Sequence, residues 1–367
     1  MGKKIRWGIL GTGAAAWNLA QNFSQVKDAE LLAVGSRSQD TARAFTDGFK
    51  VKRAYSSYAE LLQDSDIDVV YVATPHHRHK DDCLQCLEAG KAVLCEKPFS
   101  LNAEQAEEVI SVARKKKLFC MEAMWMRFIP LIREIKRRVD QGEIGDIQML
   151  KADFGYPALF DPESRFFSLK KGGGSLMDRG IYTLSLAFYL IGQPEYVNSY
   201  AAIGKTGVDD QSAYLLGYEN GAVADLASTL MTYATNEAVI MGSKGQIRIH
   251  DPFYCPNRMS IKSFPEVSAP AFSTLQNMPG LKQKLKQNPL VNRIYPRISQ
   301  ILRALNGGES VYISFAGNGY QYEIAEVTQC LQRGEVESQV MPLDETLAIM
   351  QTMDAMRDHW GLRYPPE

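Results

Sequence analysis

The sequence predicts an α/β protein in which a parallel, nucleotide-binding sheet precedes a second, mostly antiparallel sheet. An apolar run at 4–10 leads directly into a glycine turn at 11–16 and a proline-free, helix-like segment at 14–23. A second apolar run at 30–36 completes a strand–helix–strand unit of the expected size. Further along, apolar or alternating runs follow one another largely without intervening helices, which favours an antiparallel sheet. These runs are 148–154, 196–203, 212–218, 222–230, 237–241 and 245–249.

The glycine turn carries the strongest functional signal. Gly11 allows a tight bend out of the strand, Gly13 leaves backbone amides open to a pyrophosphate, and the small Ala16 allows the helix to pack closely on the sheet. A G-x-G-x-x-A string alone is weak, but the strand before it and the helix after it favour dinucleotide binding over an ordinary loop. The predicted phosphate-binding residues are Gly11, Thr12, Gly13, Ala14 and Ala15.

The end of the second strand indicates which dinucleotide is bound. NAD-preferring folds place a carboxylate there, on the ribose 2′-hydroxyl. This chain instead has Ser36, Arg37 and Ser38, and a guanidinium flanked by two hydroxyls suits a 2′-phosphate. The sequence therefore predicts NADP over NAD. The alternative is an exposed arginine in a surface turn.

Length and charge narrow the class of protein. A chain of 367 residues favours two domains. Its 41 Lys and Arg nearly balance its 42 Asp and Glu, so no overall field favours nucleic acid or membrane as a partner. No apolar stretch approaches the roughly 18 residues of a spanning helix, and no signal peptide is recognisable, so we expect a cytoplasmic protein.

The cysteines and histidines offer two metal or redox alternatives. The C-x-x-C of Cys83 and Cys86 falls in a predicted helix at 79–89, so buried thiols are favoured over redox or zinc chemistry. A third strand at 68–73 is followed by Thr74, Pro75 and a cluster containing three of the five histidines. Adjacent rings diverge and no other ligands complete a site, so no metal is predicted. We expect the loop to line the nicotinamide pocket, with Thr74, Pro75, His76 and His79 as cofactor contacts.

A fourth strand at 92–95 leads into Glu96, Lys97 and Pro98. Glu96 and Lys97 are predicted to contact the cofactor, and a lysine at this end of the sheet could also polarise a substrate hydroxyl. The alternative is an exposed lysine paired with Glu96. A fifth strand is predicted at 118–121.

Together, the glycine turn, Thr74 to His77, Glu96 to Pro98 and the segment 172–182 resemble the glucose-fructose oxidoreductase and inositol dehydrogenase family. The segment 122–128 is most similar to its dimeric dihydrodiol dehydrogenase and NADP-linked xylose dehydrogenase branch. The resemblance implies a Rossmann domain (1–124), a C-terminal α/β domain with a large open sheet (125–367), NADP, a catalytic Lys97 and a homodimer formed through the sheet. It also implies substrate contacts from Trp125, Arg127 and Phe154.

Within 172–182, Asp178 and Tyr182 lie four residues apart, on one face of a helix. A free tyrosine titrates near pH 10, so Tyr182 needs a nearby cation to accept a proton, and Lys97 could supply that charge. Whether Tyr182 or Lys97 is the immediate acceptor stays open. Asp178 would orient a substrate hydroxyl or the lysine, or simply stabilise the helix start.

The predicted activity is hydride transfer between NADP and a sugar, polyol or cyclic diol. A non-catalytic NADP sensor and an NAD-dependent glycoside hydrolase of the same fold are alternatives, and a histidine-based metal hydrolase is a more distant one. The segment 265–306 is expected to be a solvated insertion, with binding of an acidic ligand as its alternative. Helices at 319–333 and 343–360 close the chain.

Overall fold

The first sheet contains six parallel strands and lies in the first third of the chain. The computed structural model describes residues 4–264 and 308–365. The strands occur in the order β3-β2-β1-β4-β5-β6, with the topological switch between β1 and β4. They are β1 (Ile5–Leu10), β2 (Ala29–Gly35), β3 (Arg53–Tyr55), β4 (Val69–Val72), β5 (Ala92–Glu96) and β6 (Cys120–Ala123).

Five helices cover this sheet: α1 (Ala14–Ala20), α2 (Gln39–Phe49), α3 (Tyr58–Gln63), α4 (His79–Glu88) and α5 (Ala103–Lys116). Every residue of β4 and β5 is buried, as their nearly continuous apolar sequences require in a sheet covered on both faces. Asn102 begins α5 by accepting a hydrogen bond from the Gln105 amide at 2.9 Å. The predicted Rossmann arrangement is confirmed.

The second sheet has eight described strands in the order β14-β13-β12-β11-β7-β10-β9-β8. All neighbouring pairs are antiparallel except β7 with β10. The prediction of a mostly antiparallel sheet is therefore confirmed. The strands are β7 (Ile147–Gly155), β8 (Tyr196–Ile203), β9 (Asp209–Gly217), β10 (Val223–Thr229), β11 (Ala238–Gly242), β12 (Gly245–Ile249), β13 (Arg258–Ser263) and β14 (Glu309–Tyr312).

Helices α6 (Pro130–Asp140) and α7 (Ile181–Ile191) accompany the second sheet. The apolar α7 is buried along almost its whole length and packs against β7 and β10. A π-helical turn, Leu176–Gly180, runs directly into α7, and such turns are frequent at functional sites. Short 3₁₀ turns lie at Phe23–Gln25, His76–Arg78, Trp125–Phe128 and Leu169–Lys171.

The last two helices, α8 (Tyr320–Arg333) and α9 (Leu343–Trp360), return to the first sheet. Helix α9 packs against α5 and β6 and also against α7 and β8. Asp354 accepts a hydrogen bond from the backbone amide of Ala103 at 2.7 Å, and Arg357 donates one to the carbonyl of Leu101 at 3.2 Å. The change of sheet falls between β6 and β7, and a domain boundary at residue 124 stays a prediction.

Cys83 and Cys86 are buried in α4, and burial raises the pKa of both thiols well above the ordinary value. None of the helices in the described ranges combines the length and hydropathy that a bilayer crossing requires. The predicted insertion at 265–306 lies outside the described residues.

Candidate active site

The glycine turn lies between the carboxyl ends of β1 and β4 and is shaped to receive a large polar group. Gly11 has φ +99°, and a Cβ there would lie 2.7 Å from the carbonyl oxygen of Ala73, so only glycine fits without strain. Gly13 caps α1, and a Cβ at that position would meet no atom within 4 Å. The buried Thr74 hydroxyl has no hydrogen-bond partner among the described residues. This open, donor-rich turn fits a dinucleotide pyrophosphate.

The residues predicted to select NADP follow β2. Ser36 is buried, with its hydroxyl 2.6 Å from that of Thr41. Arg37 and Ser38 are exposed. In the described part of the chain Arg37 forms no hydrogen bond or ion pair, so its guanidinium is available to a phosphate.

In the histidine cluster, the rings of His76 and His79 contact backbone carbonyl oxygens. His76 Nδ1 lies 3.1 Å from the carbonyl oxygen of Gly172, and burial lowers its pKa to about 3, so the ring is neutral. The ring nitrogens of His79 each lie 2.8 Å from a carbonyl oxygen, those of Pro98 and Thr74. Because His79 is also fully buried, its ring positions the backbone of the loop, and a direct contact with the cofactor stays a prediction. No three His, Cys, Asp or Glu side chains in residues 4–264 and 308–365 are placed to hold a metal ion.

Lys97 follows β5 and points into a buried cluster. Its Nζ lies 2.7 Å from the backbone oxygen of Asp178 and 3.4 Å from Asp178 Oδ1. Burial lowers the pKa of Lys97 below its ordinary value, and the Asp178 carboxylate opposes that shift. Glu96 is engaged differently, accepting hydrogen bonds from the Tyr71 hydroxyl and the Lys97 backbone amide. An exposed Lys97 paired with Glu96 is therefore excluded.

Asp178 lies in the π-helical turn and is shared between cations. Its Oδ1 accepts a hydrogen bond from Arg165 Nη1 at 2.7 Å, and its Oδ2 lies 3.7 Å from Arg179 Nε. Burial alone would raise the pKa of Asp178. The charges of Lys97 and Arg165 outweigh that effect and hold the pKa well below its usual value, so the carboxylate stays ionised.

Tyr182 lies close to Lys97, but not in the expected way. The Lys97 Nζ lies 4.7 Å from the centroid of the Tyr182 ring, over its face, and the Tyr182 hydroxyl accepts a hydrogen bond from Trp125 Nε1 at 2.9 Å. Burial raises the pKa of Tyr182 well above 10. The prediction that Lys97 lowers the Tyr182 pKa into the working range is therefore wrong in this structure.

An aromatic wall borders this cluster. Phe154 stacks on Tyr254 with ring centroids 4.5 Å apart and lies 5.3 Å from the Tyr182 ring, and Trp125 stacks on Tyr320 at 4.9 Å. The structure thus places the predicted Trp125 and Phe154 beside Tyr182 and Lys97. Flat apolar faces of this kind suit the C–H faces of sugars or cyclic diols.

Arg127 is not part of this cleft. It is fully buried, donates to the hydroxyl and carbonyl oxygens of Ser185 at 2.8 and 2.9 Å, and pairs with Glu345 at 2.5 Å. Its guanidinium is thus engaged inside the protein core, which argues against the predicted contact with substrate.

Sequence reasoning missed three residues of the cleft. Arg165 belongs to the loop after β7, Tyr254 follows β12, and Arg179 directly follows Asp178. Of the three, only Arg179 could have been found from the sequence, because it is adjacent to a predicted catalytic residue. Arg165 precedes the 172–182 segment and Tyr254 follows β12, but neither belongs to a motif, and both reach the cleft through the fold.

The nucleotide cradle and the buried amine beside an aromatic cleft define an NAD(P)-dependent oxidoreductase. Residues 5–124 match the model of an oxidoreductase family with an NAD-binding Rossmann fold, and residues 132–248 match the GFO/IDH/MocA C-terminal domain. The chain belongs to the GFO/IDH/MocA oxidoreductase family, which confirms the resemblance found in the sequence.

Relatives and solved structures cover nearly the whole chain. A trans-1,2-dihydrobenzene-1,2-diol dehydrogenase of Xenopus tropicalis is 32% identical over 98% of this chain and 99% of its own. A 3-ketoreductase from Actinomadura kijaniata, solved with NADP, is 24% identical over 97% of both chains with a TM-score of 0.73. An aldose-aldose oxidoreductase from Caulobacter crescentus, solved with glycerol, is 22% identical over 97% of both chains with a TM-score of 0.77. These structures show a shared fold.

Proposed function

We propose that this enzyme transfers a hydride between NADP and a carbinol carbon of a sugar or diol, with Lys97 as the group that exchanges the hydroxyl proton. The observation that carries the proposal is the position of Lys97 Nζ, which is buried between the Asp178 carbonyl and the Tyr182 ring. The dihydrodiol dehydrogenase relatives and the NADP complex of the structurally similar ketoreductase support the same class of reaction.

The residues that would hold the cofactor are the Gly11 turn, the unpaired Thr74 hydroxyl and the free Arg37. NADP would supply a two-electron hydride acceptor when it is bound. Arg37 is the residue suited to its 2′-phosphate, because the guanidinium forms paired, charge-assisted hydrogen bonds to phosphate oxygens.

Lys97 is the better proton acceptor of the two predicted candidates. Burial lowers its pKa and so increases its neutral fraction, whereas burial raises the pKa of Tyr182 and keeps that phenol protonated. In oxidation, Lys97 Nζ takes the proton of the substrate hydroxyl. In reduction, the ammonium returns it to the carbonyl oxygen.

Tyr182 and Asp178 would position the reacting groups. The Tyr182 oxygen accepts from Trp125, so its own proton is free to be donated to the substrate oxygen. Asp178 holds the Lys97 amine through both its backbone and side-chain oxygens.

Screening NADP reduction against aldoses, inositols and cyclic diols tests the proposal. We expect turnover with at least one of these classes, a loss of about 100-fold or more in Lys97→Met, and a smaller loss in Tyr182→Phe. Lys115→Met, which changes an exposed lysine on α5, is the matched control. Turnover with no polyol would contradict the proposal and favour a sensor or a glycoside hydrolase, and so would full activity in Lys97→Met.

We further infer a homodimer formed through the outer face of the second sheet. The edge strand β8 and its neighbour β9 expose Tyr196, Tyr200 and Leu215, an apolar group that supports a subunit interface. Sedimentation should give a dimer that Tyr200→Arg dissociates, and a monomeric wild type would refute this. All six cysteines are free, which suits a reducing compartment and supports a cytoplasmic location.

A further inference from the structure

The cleft around Lys97 contains more cations than carboxylates. Lys97, Arg165 and Arg179 all lie within 4 Å of the Asp178 carboxylate. The other nearby carboxylate, Glu96, is buried and already accepts hydrogen bonds from Tyr71 and the Lys97 amide. While Lys97 is protonated, the three cations thus outnumber the two carboxylates at the place where a substrate would meet Lys97.

Of these three cations, Arg165 is by far the most accessible. Its side chain is 56% exposed, compared with 11% for Lys97 and 7% for Arg179. Arg179 also donates to the backbone carbonyls of Tyr156 and Thr229, which fixes its guanidinium inside the protein. Arg165 is thus the cation with the largest surface open to an incoming ligand.

The guanidinium of Arg165 is held in place but not saturated. It lies 4.2 Å from the centroid of the Phe166 ring, and its Nη1 donates to Asp178. Its Nε and Nη2 donate to no other described residue. The carboxylates of its own loop are turned to other groups, since Asp161 accepts from the Glu163 amide and Glu163 faces Lys171 at 3.9 Å.

The position of Arg165 points to the reacting molecule and not to the nucleotide phosphates. Arg165 Nη1 and Lys97 Nζ approach the same atom, Asp178 Oδ1, at 2.7 and 3.4 Å, so the two nitrogens are no further apart than those distances combined. The phosphate cradle, by contrast, is formed by residues after β1 and β4. A group bound by Arg165 therefore lies within a few bonds of the carbon that meets Lys97.

We propose that Arg165 determines substrate specificity by binding an anionic group, a carboxylate or a phosphate, close to the reacting carbinol. This inference rests on the proposed oxidoreductase function and narrows its substrate class to sugar acids, hydroxy acids of the polyol type or polyol phosphates. An arginine with unused donors suits such groups, because carboxylate and phosphate oxygens match the spacing of its nitrogens.

Matched substrate pairs that differ by one charged group test the inference. The pairs are D-gluconate with D-glucitol, D-glucuronate with D-glucose, and myo-inositol 1-phosphate with myo-inositol. The wild type should prefer the charged member of at least one pair by about tenfold or more in kcat/KM, as expected for a charge-assisted hydrogen bond. Whether the carboxylate or the phosphate pair responds identifies the anion.

Arg165→Gln should abolish this preference, bringing the ratio of kcat/KM for the charged member to that for the neutral member close to one, mainly through a higher KM for the charged member. Arg165→Lys keeps the charge but loses the paired donors. Its preference for the charged member should therefore be weaker than that of the wild type and stronger than that of Arg165→Gln. Arg137→Gln removes an arginine of similar exposure on α6 and is the control. Equal losses for charged and neutral members would overturn the inference, because Arg165 would then only hold Asp178 in place.

Failure of the inference and failure of the proposed function give different results. Turnover of neutral polyols with no preference for any charged partner overturns the role of Arg165 and leaves the oxidoreductase function standing. If no compound turns over, the proposed function fails, and binding decides the inference. The charged compounds must then raise the melting temperature of the wild type more than that of Arg165→Gln, and equal shifts overturn it.

Discussion

Replacing Asp178 by asparagine should move the ionisation of Lys97 to lower pH. The Asp178 carboxylate oxygen lies 3.4 Å from Lys97 Nζ. At an effective dielectric constant of about 20, two unit charges at this separation attract by about 5 kcal/mol. Arg165 shares the same oxygen at 2.7 Å, and the backbone carbonyl contact with Lys97 remains in the variant, so only part of that energy is lost. A loss of about 2 kcal/mol would lower the Lys97 pKa by roughly 1.5 units.

The assay is the pH dependence of kcat/KM for oxidation, measured between about pH 6 and pH 10. The rising limb reports the loss of the Lys97 proton, and burial already places that pKa below the ordinary lysine value. Without the carboxylate the ammonium is less stable, so the limb of Asp178→Asn should lie at lower pH than that of the wild type. Asp140→Asn, at an exposed position on α6, is the control. A limb that stays in place or moves to higher pH would refute the pairing of Asp178 with a titrating Lys97.

Three further substitutions test the cradle and the buried polar groups. Gly11→Ala places a Cβ on a residue with left-handed backbone and against the Ala73 carbonyl. The affinity for NADPH in a fluorescence titration should therefore fall by about tenfold or more. Unchanged affinity would contradict the assignment of the Gly11 turn to phosphate binding. Arg127→Met breaks the pair with Glu345 and should lower the free energy of unfolding in urea by about 3–5 kcal/mol, with little change in KM. An altered KM in folded protein would instead support a role of Arg127 in substrate binding. Burial raises the pKa of Glu122 from 4.5 to about 7, so wild-type stability should fall as pH rises across that interval, by about 3 kcal/mol in all. Glu122→Gln should remove this slope, and an identical slope in both proteins would assign it to another group.

The parts of the fold that could be predicted are those encoded in local patterns. The strand before Gly11, the proline-free helix after it and the buried runs of β4 and β5 each have a periodicity or turn chemistry that short segments specify. Strands β13 and β14 were not predicted. They pair with each other across a long stretch of sequence, and β14 is only four residues long.

In the candidate site, too, local sequence patterns could be read in advance but side-chain directions could not. Sequence spacing paired Asp178 with Tyr182, and the family resemblance added Lys97. Neither could say that the amine faces the Tyr182 ring while the hydroxyl faces Trp125. Arg127 was assigned by its place in a motif, and the direction of its side chain is set by Ser185 and Glu345, which are far away in the chain. Arg165 carries no pattern at all. Its contacts with Asp178 and Phe166 exist only in the folded chain.

The return of α9 to α5 and β6 has a consequence for how the protein is made. A ribosome completes the six parallel strands long before it reaches Asp354 and Arg357, which satisfy the backbone at the start of α5. Until then the nascent nucleotide-binding half exposes the surface of α5 and β6 that α9 later covers. We therefore expect the amino-terminal half to be less stable when it is produced without α9.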